Sequence, residues 1–398
     1  MRTQKARIVI VGAGSGGISV ASRLLRENKQ LEHQILIIDP QKKHYYQPLW
    51  TLVGGGAAQK EQTERDQSSV IPEGANWLAE RVSSFTPDKN ELITEEGTKV
   101  TYEYLVVAAG IQLNWSKVPG LKESIGTDGV CSNYEYQYVD STWENIKNFK
   151  GGNAIFTMPN TPVKCGGAPQ KIMYLAEQYF RKSGVRDQTK VIFATASPSI
   201  FSVEKYRKTL EGIIQEREIE TKFQRHLTSI DSKNKNAVFT NLETGKEEVL
   251  SYDMIHVTPP MGPPEFLEKS PLAAENGWIA ADQYTLQHPV YGNVFSLGDC
   301  ANLPTSKTGA AIRKQAPVVA ENILYAMNNE PLAAKYDGYS SCPIVTGYGS
   351  LILAEFDYDN YPVETFPFDQ SKERLSMYLM KKHMLPALYW NGMLKGLM

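Results

Sequence analysis

The sequence has no apolar run of about 18 residues, the length a spanning helix needs, so an ordinary transmembrane segment is excluded. Neither sign of charge dominates. The 42 Lys and Arg balance 44 Asp and Glu, which leaves no broad basic field to attract nucleic acid. Cysteine is scarce, and Cys131, Cys165, Cys300 and Cys342 form no C-x-x-C pair. The six histidines make no H-E-x-x-H or H-x-H pattern, so no metal site is expected. So few cysteines also exclude a secreted disulfide scaffold, and the default for each is a buried, reduced, small hydrophobe. The start MRTQKARIVIVGAG enters a strand too early for a signal or transit peptide. The expected setting is inside a cell, unless an address has been removed.

At 398 residues the chain has room for two or three domains. Residues 7–11 (RIVIV) are an apolar, β-branched run, followed by GAGSGG, a helical pattern through ISVASRLLREN and a second run, ILIID, ending at Asp39. This is the dinucleotide fingerprint inside a strand, helix, strand unit of about thirty residues. Gly12 and Gly14 allow a tight turn and close approach of a pyrophosphate, Gly17 allows the helix to pack on the strand, and Asp39 is placed to accept ribose hydroxyls.

Two later motifs fit the same sheet: YLVVAAG, ending at Gly110, and GNVFSLGDC, containing Gly298 and Asp299, with a helical stretch over 308–326. Together they resemble the two-dinucleotide-domain flavoproteins, which implies FAD in the first site, with Asp299 near its ribityl and pyrophosphate groups. Between these motifs the pattern starts again, with strands expected at 153–158 and 191–195 and an amphipathic helix at 168–181. In nicotinamide-using relatives a glycine loop follows the first of these strands. Here the loop is PNTPVKCGGAP, rich in proline, and ATASPSIF after the next strand has no glycine. The expected fold is α/β with two Rossmann-like domains: residues 1–112 with 288–330 for FAD, 113–287 carrying Cys165, and 331–398 as a C-terminal quinone and membrane region carrying Cys342.

Cys342 lies in SSCPIVTGYGSLILAEFDY and is expected in a turn before Pro343. With VKCGGAPQKIMYLAEQYF, IHVTPPMGPP and GDCANLPTSKT, this stretch resembles the sulfide:quinone oxidoreductases, especially the form related to the mitochondrial enzyme. The resemblance runs from the first strand to about Leu394. It implies oxidation of hydrogen sulfide at a Cys165–Cys342 disulfide, with Cys342 carrying the persulfide and Cys165 addressing the flavin. Two electrons then pass through FAD to ubiquinone or menaquinone, and sulfite, a thiol or a second sulfide removes the sulfur. Cys300 is expected to pack under the cofactor. Cys131 is expected to be ordinary packing, with attachment to the flavin as the alternative.

An anionic site needs nearby cations, and Lys171, Lys307 and Lys381 are the candidates, Lys307 on the cofactor side and the other two at the flavin or quinone. The final segment, SKERLSMYLMKKHMLPALYWNGMLKGLM, sets Leu, Met, Tyr and Trp at helical spacing with basic residues opposite, and Pro386 divides it. It is expected to lie on a lipid surface as a peripheral or monotopic anchor, or else to pack on the core or a second copy of the chain. The aromatics of AEFDYDNYPVETFPFDQ are expected near the quinone. The membrane is expected to be the bacterial cytoplasmic one, or the mitochondrial inner membrane if a presequence was removed. A type 2 NADH:quinone reductase and a flavocytochrome-type sulfide dehydrogenase are the alternatives.

Overall fold

The computed structural model describes residues 2–398. Strand β1 (Thr3–Val11) leads through the glycine turn into helix α1 (Ser15–Glu27) and strand β2 (Ile35–Ile38). Strands β3 (Ala75–Leu78), β4 (Val82–Thr86), β5 (Glu91–Thr94) and β6 (Lys99–Val107) follow. They form one sheet in the order β3-β2-β1-β6-β5-β4. The middle of this sheet is parallel and covered on both sides, which is why β1 reads as a continuous apolar run, with Ile8, Val9 and Ile10 fully buried. At Gly17 any Cβ would sit 1.9 Å from the Gly12 carbonyl, so only glycine lets α1 pack this closely on the turn.

The second unit contains β7 (Val130–Cys131), β8 (Gly152–Met158), helix α2 (Ala168–Ser183), β9 (Thr189–Thr195), β10 (Glu220–Lys222) and β11 (Met254–His256). Its sheet runs β7-β11-β8-β9-β10, all parallel. The chain then returns to the first sheet as β12 (Val294–Ser296), parallel to the second half of β6, and enters helix α3 (Gly309–Met327). The repeated strand, helix, strand pattern read from the sequence is present in both sheets.

Two expectations for the last seventy or so residues are corrected. Cys342 lies in strand β13 (Ser340–Gly347), paired antiparallel with β14 (Ser350–Phe356) and opposite Ala354, not in a turn. A two-stranded ribbon has only edge strands, which tolerate the missing N–H of Pro343. Nor does Pro386 cut the final helix in two. Helix α4 (Leu375–Leu379) continues through a π turn at Met380–Met384 into α5 (Leu385–Asn391), and Pro386, which has no N–H to donate to the preceding turn, follows directly on that wider π turn.

This segment has two faces. Tyr378, Lys381, Tyr389, Met393 and Leu394 are buried against the body, while Leu375, Leu379, Met384 and Leu388 are 59%, 46%, 47% and 36% exposed. No helix among the described residues is long and apolar enough to cross a membrane.

Candidate active site

Register brings the fingerprint residues together. Val11, at the end of β1, is opposite both Ile38 and Val107, and Val107 is opposite Ser296, so four strands end side by side. Gly12 to Gly17, Asp39, Gly110 and Gly298 to Asp299 therefore line one carboxyl edge, the place where open α/β sheets bind ligands. Helix α1 starts at Gly14 with no side-chain cap, leaving its first N–H groups free for an anion. Nothing lies within 4 Å of a Cβ built on Gly14 or Gly110, so both open onto free space. Gly12 has a φ of +106°, and a Cβ there would also strike the Ala108 carbonyl at 2.4 Å, so the tight turn requires glycine.

Asp39 accepts from the N–H of Ala13 at 2.7 Å and of Gln41 at 2.8 Å, while burial raises its pKa. Asp299 is raised by burial too, and no protein donor reaches its carboxylate among the described residues. An aligned edge, an uncapped helix and a half-buried carboxylate with no protein donor fit a dinucleotide such as FAD.

The loop between β8 and α2 carries Cys165. Its φ is +61°, a left-handed conformation that costs a residue with a Cβ about 1–2 kcal/mol. The loop is held by the Cys165 N–H donating to the Lys307 carbonyl at 2.7 Å and by Ala168 N–H donating to the Cys165 carbonyl at 2.8 Å. In this pose the Sγ atoms of Cys165 and Cys342 lie 2.8 Å apart, both as free thiols and close enough to bridge after a small shift. A Cβ on Gly167 would come within 2.6 Å of the Cys342 sulfur, so the GG after Cys165 makes room for the second thiol.

Charge separates the two sulfurs. Cys165 is held well below the ordinary thiol range by a hydrogen bond from Cys342 and by Lys171, whose Nζ is 3.3 Å away. Cys342 is pushed well above that range by burial, then by its neighbour. Burial alone would lower Lys171, but the two sulfurs override it and keep this lysine charged. Lys381 is different: burial first, then the like charge of Lys171, bring it down to about 7, and its Nζ donates to the Pro48 carbonyl at 3.0 Å. Lys307 points elsewhere, donating to the Asp299 and Ala301 carbonyls at 2.6 and 3.2 Å, with its ammonium 3.8 Å from the centre of the Trp278 ring.

Sequence reasoning overlooked Lys164. Its Nζ donates to Gln47 Oε1 at 2.6 Å and the Tyr134 carbonyl at 3.0 Å, and enclosure lowers its pKa to about 8. Its place beside Cys165 was the available signal. Cys131 and Cys300 are fully buried and outside the pair. The Cys131 thiol donates to the Ile255 carbonyl at 3.6 Å and is pushed up to about 12 by burial; Cys300 donates to the Val107 carbonyl at 3.4 Å.

Replacing Lys171 by Met removes the cation that favours the Cys165 anion, so the pKa of this thiol should rise. In the reduced protein, the pH profile of Cys165 alkylation, followed by peptide mass spectrometry, should move to higher pH. An unchanged profile would contradict the electrostatic reading.

Residues 6–149 match the family model of pyridine nucleotide-disulphide oxidoreductases. The chain is 48% identical over 390 residues to the mitochondrial sulfide:quinone oxidoreductase of Mus musculus, covering 98% of this chain and 86% of that protein. It is 49% identical over 392 residues to that of Dictyostelium discoideum, with the same coverage. The solved sulfide:quinone oxidoreductase of Aquifex aeolicus shares the fold at a TM-score of 0.84 and 20% identity, covering 98% of this chain and 91% of that one. With a paired-thiol site on two Rossmann-like sheets and near-half identity across almost its whole length, the chain belongs to the sulfide:quinone oxidoreductase family.

Proposed function

We propose that this protein oxidises hydrogen sulfide at Cys165 and Cys342 and delivers two electrons, by way of bound FAD, to ubiquinone or menaquinone. The observation that carries the reading is the 2.8 Å sulfur pair beside Lys171, standing where a nicotinamide loop would otherwise lie. Residues 1–112 with 288–330 hold the cofactor in this assignment, 113–287 present Cys165, and 331–398 supply Cys342 and the lipid-facing segment. Gly12, Gly14, Gly17, Asp39, Gly110, Gly298 and Asp299 shape the FAD site, and Lys307 braces the turn that carries Asp299.

In the bridged state, hydrosulfide attacks the Cys342 sulfur. The S–S bond breaks, its electron pair leaves on Cys165 as a thiolate, and a persulfide forms on Cys342. Lys171 stabilises that thiolate, which is why the leaving sulfur is Cys165. The outer sulfur then passes to an acceptor, and the bridge re-forms with the loss of two electrons and release of the sulfide protons. FAD, when bound at the carboxyl edge of the first sheet, would supply the two-electron sink between the re-forming bridge and the quinone. Lys381, near neutrality in its pKa and beside the pair, is suited to exchanging a proton during this cycle.

A cleft of about 470 Å³ reaches the loop at Gly166, lined among others by Val163, Trp278, Leu303, Phe356 and Tyr358. None of its lining residues comes from 371–398. We assign it to the sulfur acceptor, sulfite, a thiol or a second sulfide, and assign the quinone to the C-terminal side, away from Phe356 and Tyr358. A type 2 NADH:quinone reductase is less well supported, since the loop after β8 is occupied by Cys165 and its prolines. The relatives from Mus musculus and Dictyostelium discoideum are mitochondrial, which favours the mitochondrial inner membrane, where the exposed face of α4 and α5 would rest peripherally.

Cys165→Ser and Cys342→Ser should each retain FAD and lose sulfide-dependent quinone reduction by orders of magnitude, while Cys300→Ser keeps most activity. Sulfide but not NADH should bleach the flavin of the unmodified protein. Bleaching by NADH alone would select the rival.

Each apolar side chain buried in lipid contributes about 1.5–3 kcal/mol, so Leu375, Leu379, Met384 and Leu388 suffice for reversible attachment. Changing all four to Ser should abolish co-flotation with liposomes. Undiminished flotation would place the contact elsewhere.

A further inference from the structure

The glycine turn that would hold the cofactor pyrophosphate is clamped at both backbone polar groups of one residue, Ala13. The Ala13 N–H donates to Asp39 at 2.7 Å, and the Ala13 carbonyl accepts from two buried side chains, His44 Nδ1 at 3.0 Å and Gln67 Nε2 at 3.1 Å. The other ring nitrogen of His44 lies 2.5 Å from the hydroxyl of Tyr389, on α5, and that hydroxyl is 2.8 Å from Ser15 Oγ, at the first residue of α1. A segment near the end of the chain thus reaches the cofactor loop through two side chains.

The proton positions follow from the acceptors. A carbonyl can only accept, so Nδ1 of His44 carries the hydrogen that faces Ala13. Burial lowers His44 to about 4, so the ring is neutral at pH 7 and Nε2 must accept. Tyr389 therefore donates to His44, and Ser15 donates to Tyr389. The chain runs Ser15 to Tyr389 to His44 to Ala13, and each member needs the next. Ser15 has then spent its only proton, so an anion at this helix start would be held by backbone N–H groups. Packing reinforces the order: the Trp390 ring meets His44 edge-on at 5.7 Å, the Tyr46 ring lies 4.7 Å from Tyr389, and Arg65 covers Trp390 at 4.8 Å.

We propose that Tyr389 and His44 are positioning residues for the cofactor: a latch by which the C-terminal segment fixes the Ala13 to Ser15 turn in its binding shape and slows release of FAD. The inference rests on the reading that FAD occupies this edge. It assigns the C-terminal segment a task separate from lipid contact, carried by its buried face.

The test is the rate of FAD release from holoenzyme, read by the rise in free-flavin fluorescence. Tyr389→Phe keeps the ring packing and removes the hydroxyl, and release should quicken by about tenfold, the scale of one or two buried hydrogen bonds. Ser15→Ala should accelerate release as well, and the double variant should be no faster than the worse single one, because both cut the same chain. His44→Asn, whose amide can still donate to Ala13, should release FAD more slowly than His44→Phe. Ser22→Ala is the control for loosening in general. It removes another bond to the same segment, Ser22 Oγ to the Leu394 carbonyl at 2.7 Å, and should stay within about twofold of the unmodified rate.

Release at the unmodified rate in Tyr389→Phe would overturn the latch, as would equal acceleration in Ser22→Ala. A different failure points to the underlying reading: if unmodified protein holds no flavin, or Gly14→Val holds it fully, FAD does not bind at this edge.

Discussion

Everything proposed for the site depends on one backbone conformation, the left-handed turn at Cys165. A residue with a Cβ adopts φ = +61° at a cost, and the cost is offset locally by the hydrogen bond from its N–H to the Lys307 carbonyl. That bond ties the loop after β8 to the segment following Asp299, so the thiol and the cofactor edge are fixed to each other. Without the turn, Cys165 would point away from Cys342, and the space left by Gly167 would serve nothing.

The second constraint is charge in a poorly solvated place. Two sulfurs and two buried amines cannot all be ionised there, and the structure resolves the conflict by unequal sharing. Lys171 touches Cys165 and stays charged, stabilising one thiolate. Lys381, farther from compensation and repelled by Lys171, falls to about 7 and becomes able to exchange a proton near neutral pH. Cys342 remains a thiol because the one nearby anion that the cations support is already Cys165. An asymmetric pair of this kind suits a bridge in which one sulfur leaves and the other receives sulfur.

The central strands of both sheets were legible in the sequence, because buried parallel strands announce themselves as apolar runs and the glycine fingerprint has a mechanical meaning; β7, β10 and β11, two or three residues long, were too short to show. The cysteine in the Pro/Gly loop stood out for a similar reason: it occupied a place where backbone and glycine were expected. Cys342 in a strand was not legible, since Ser-Cys-Pro reads as a turn and nothing local says that the partner strand is alone. Lys164 was signalled only by its place beside Cys165, and the partners that enclose it, Gln47 and Tyr134, are distant in sequence. The bond between His44 and Tyr389 spans 345 residues and leaves no periodic trace. The final segment gave its amphipathic pattern to the sequence, but only the structure separates the face that packs on α1 from the one left bare.

The claim that sulfide chemistry is divided between Cys342 as receiver and Cys165 as leaving group can be tested in one mixing experiment. Oxidised holoenzyme is combined anaerobically with one equivalent of sulfide, without quinone or sulfur acceptor, then trapped and digested for mass spectrometry while the flavin spectrum is recorded. The account predicts the mass of one extra sulfur atom on the Cys342 peptide, none on Cys165, and a flavin that stays oxidised until sulfite is added, because opening the bridge takes up both electrons of the sulfide. Added sulfur on Cys165, no sulfur on either cysteine, or a flavin bleached before sulfite is present would contradict it.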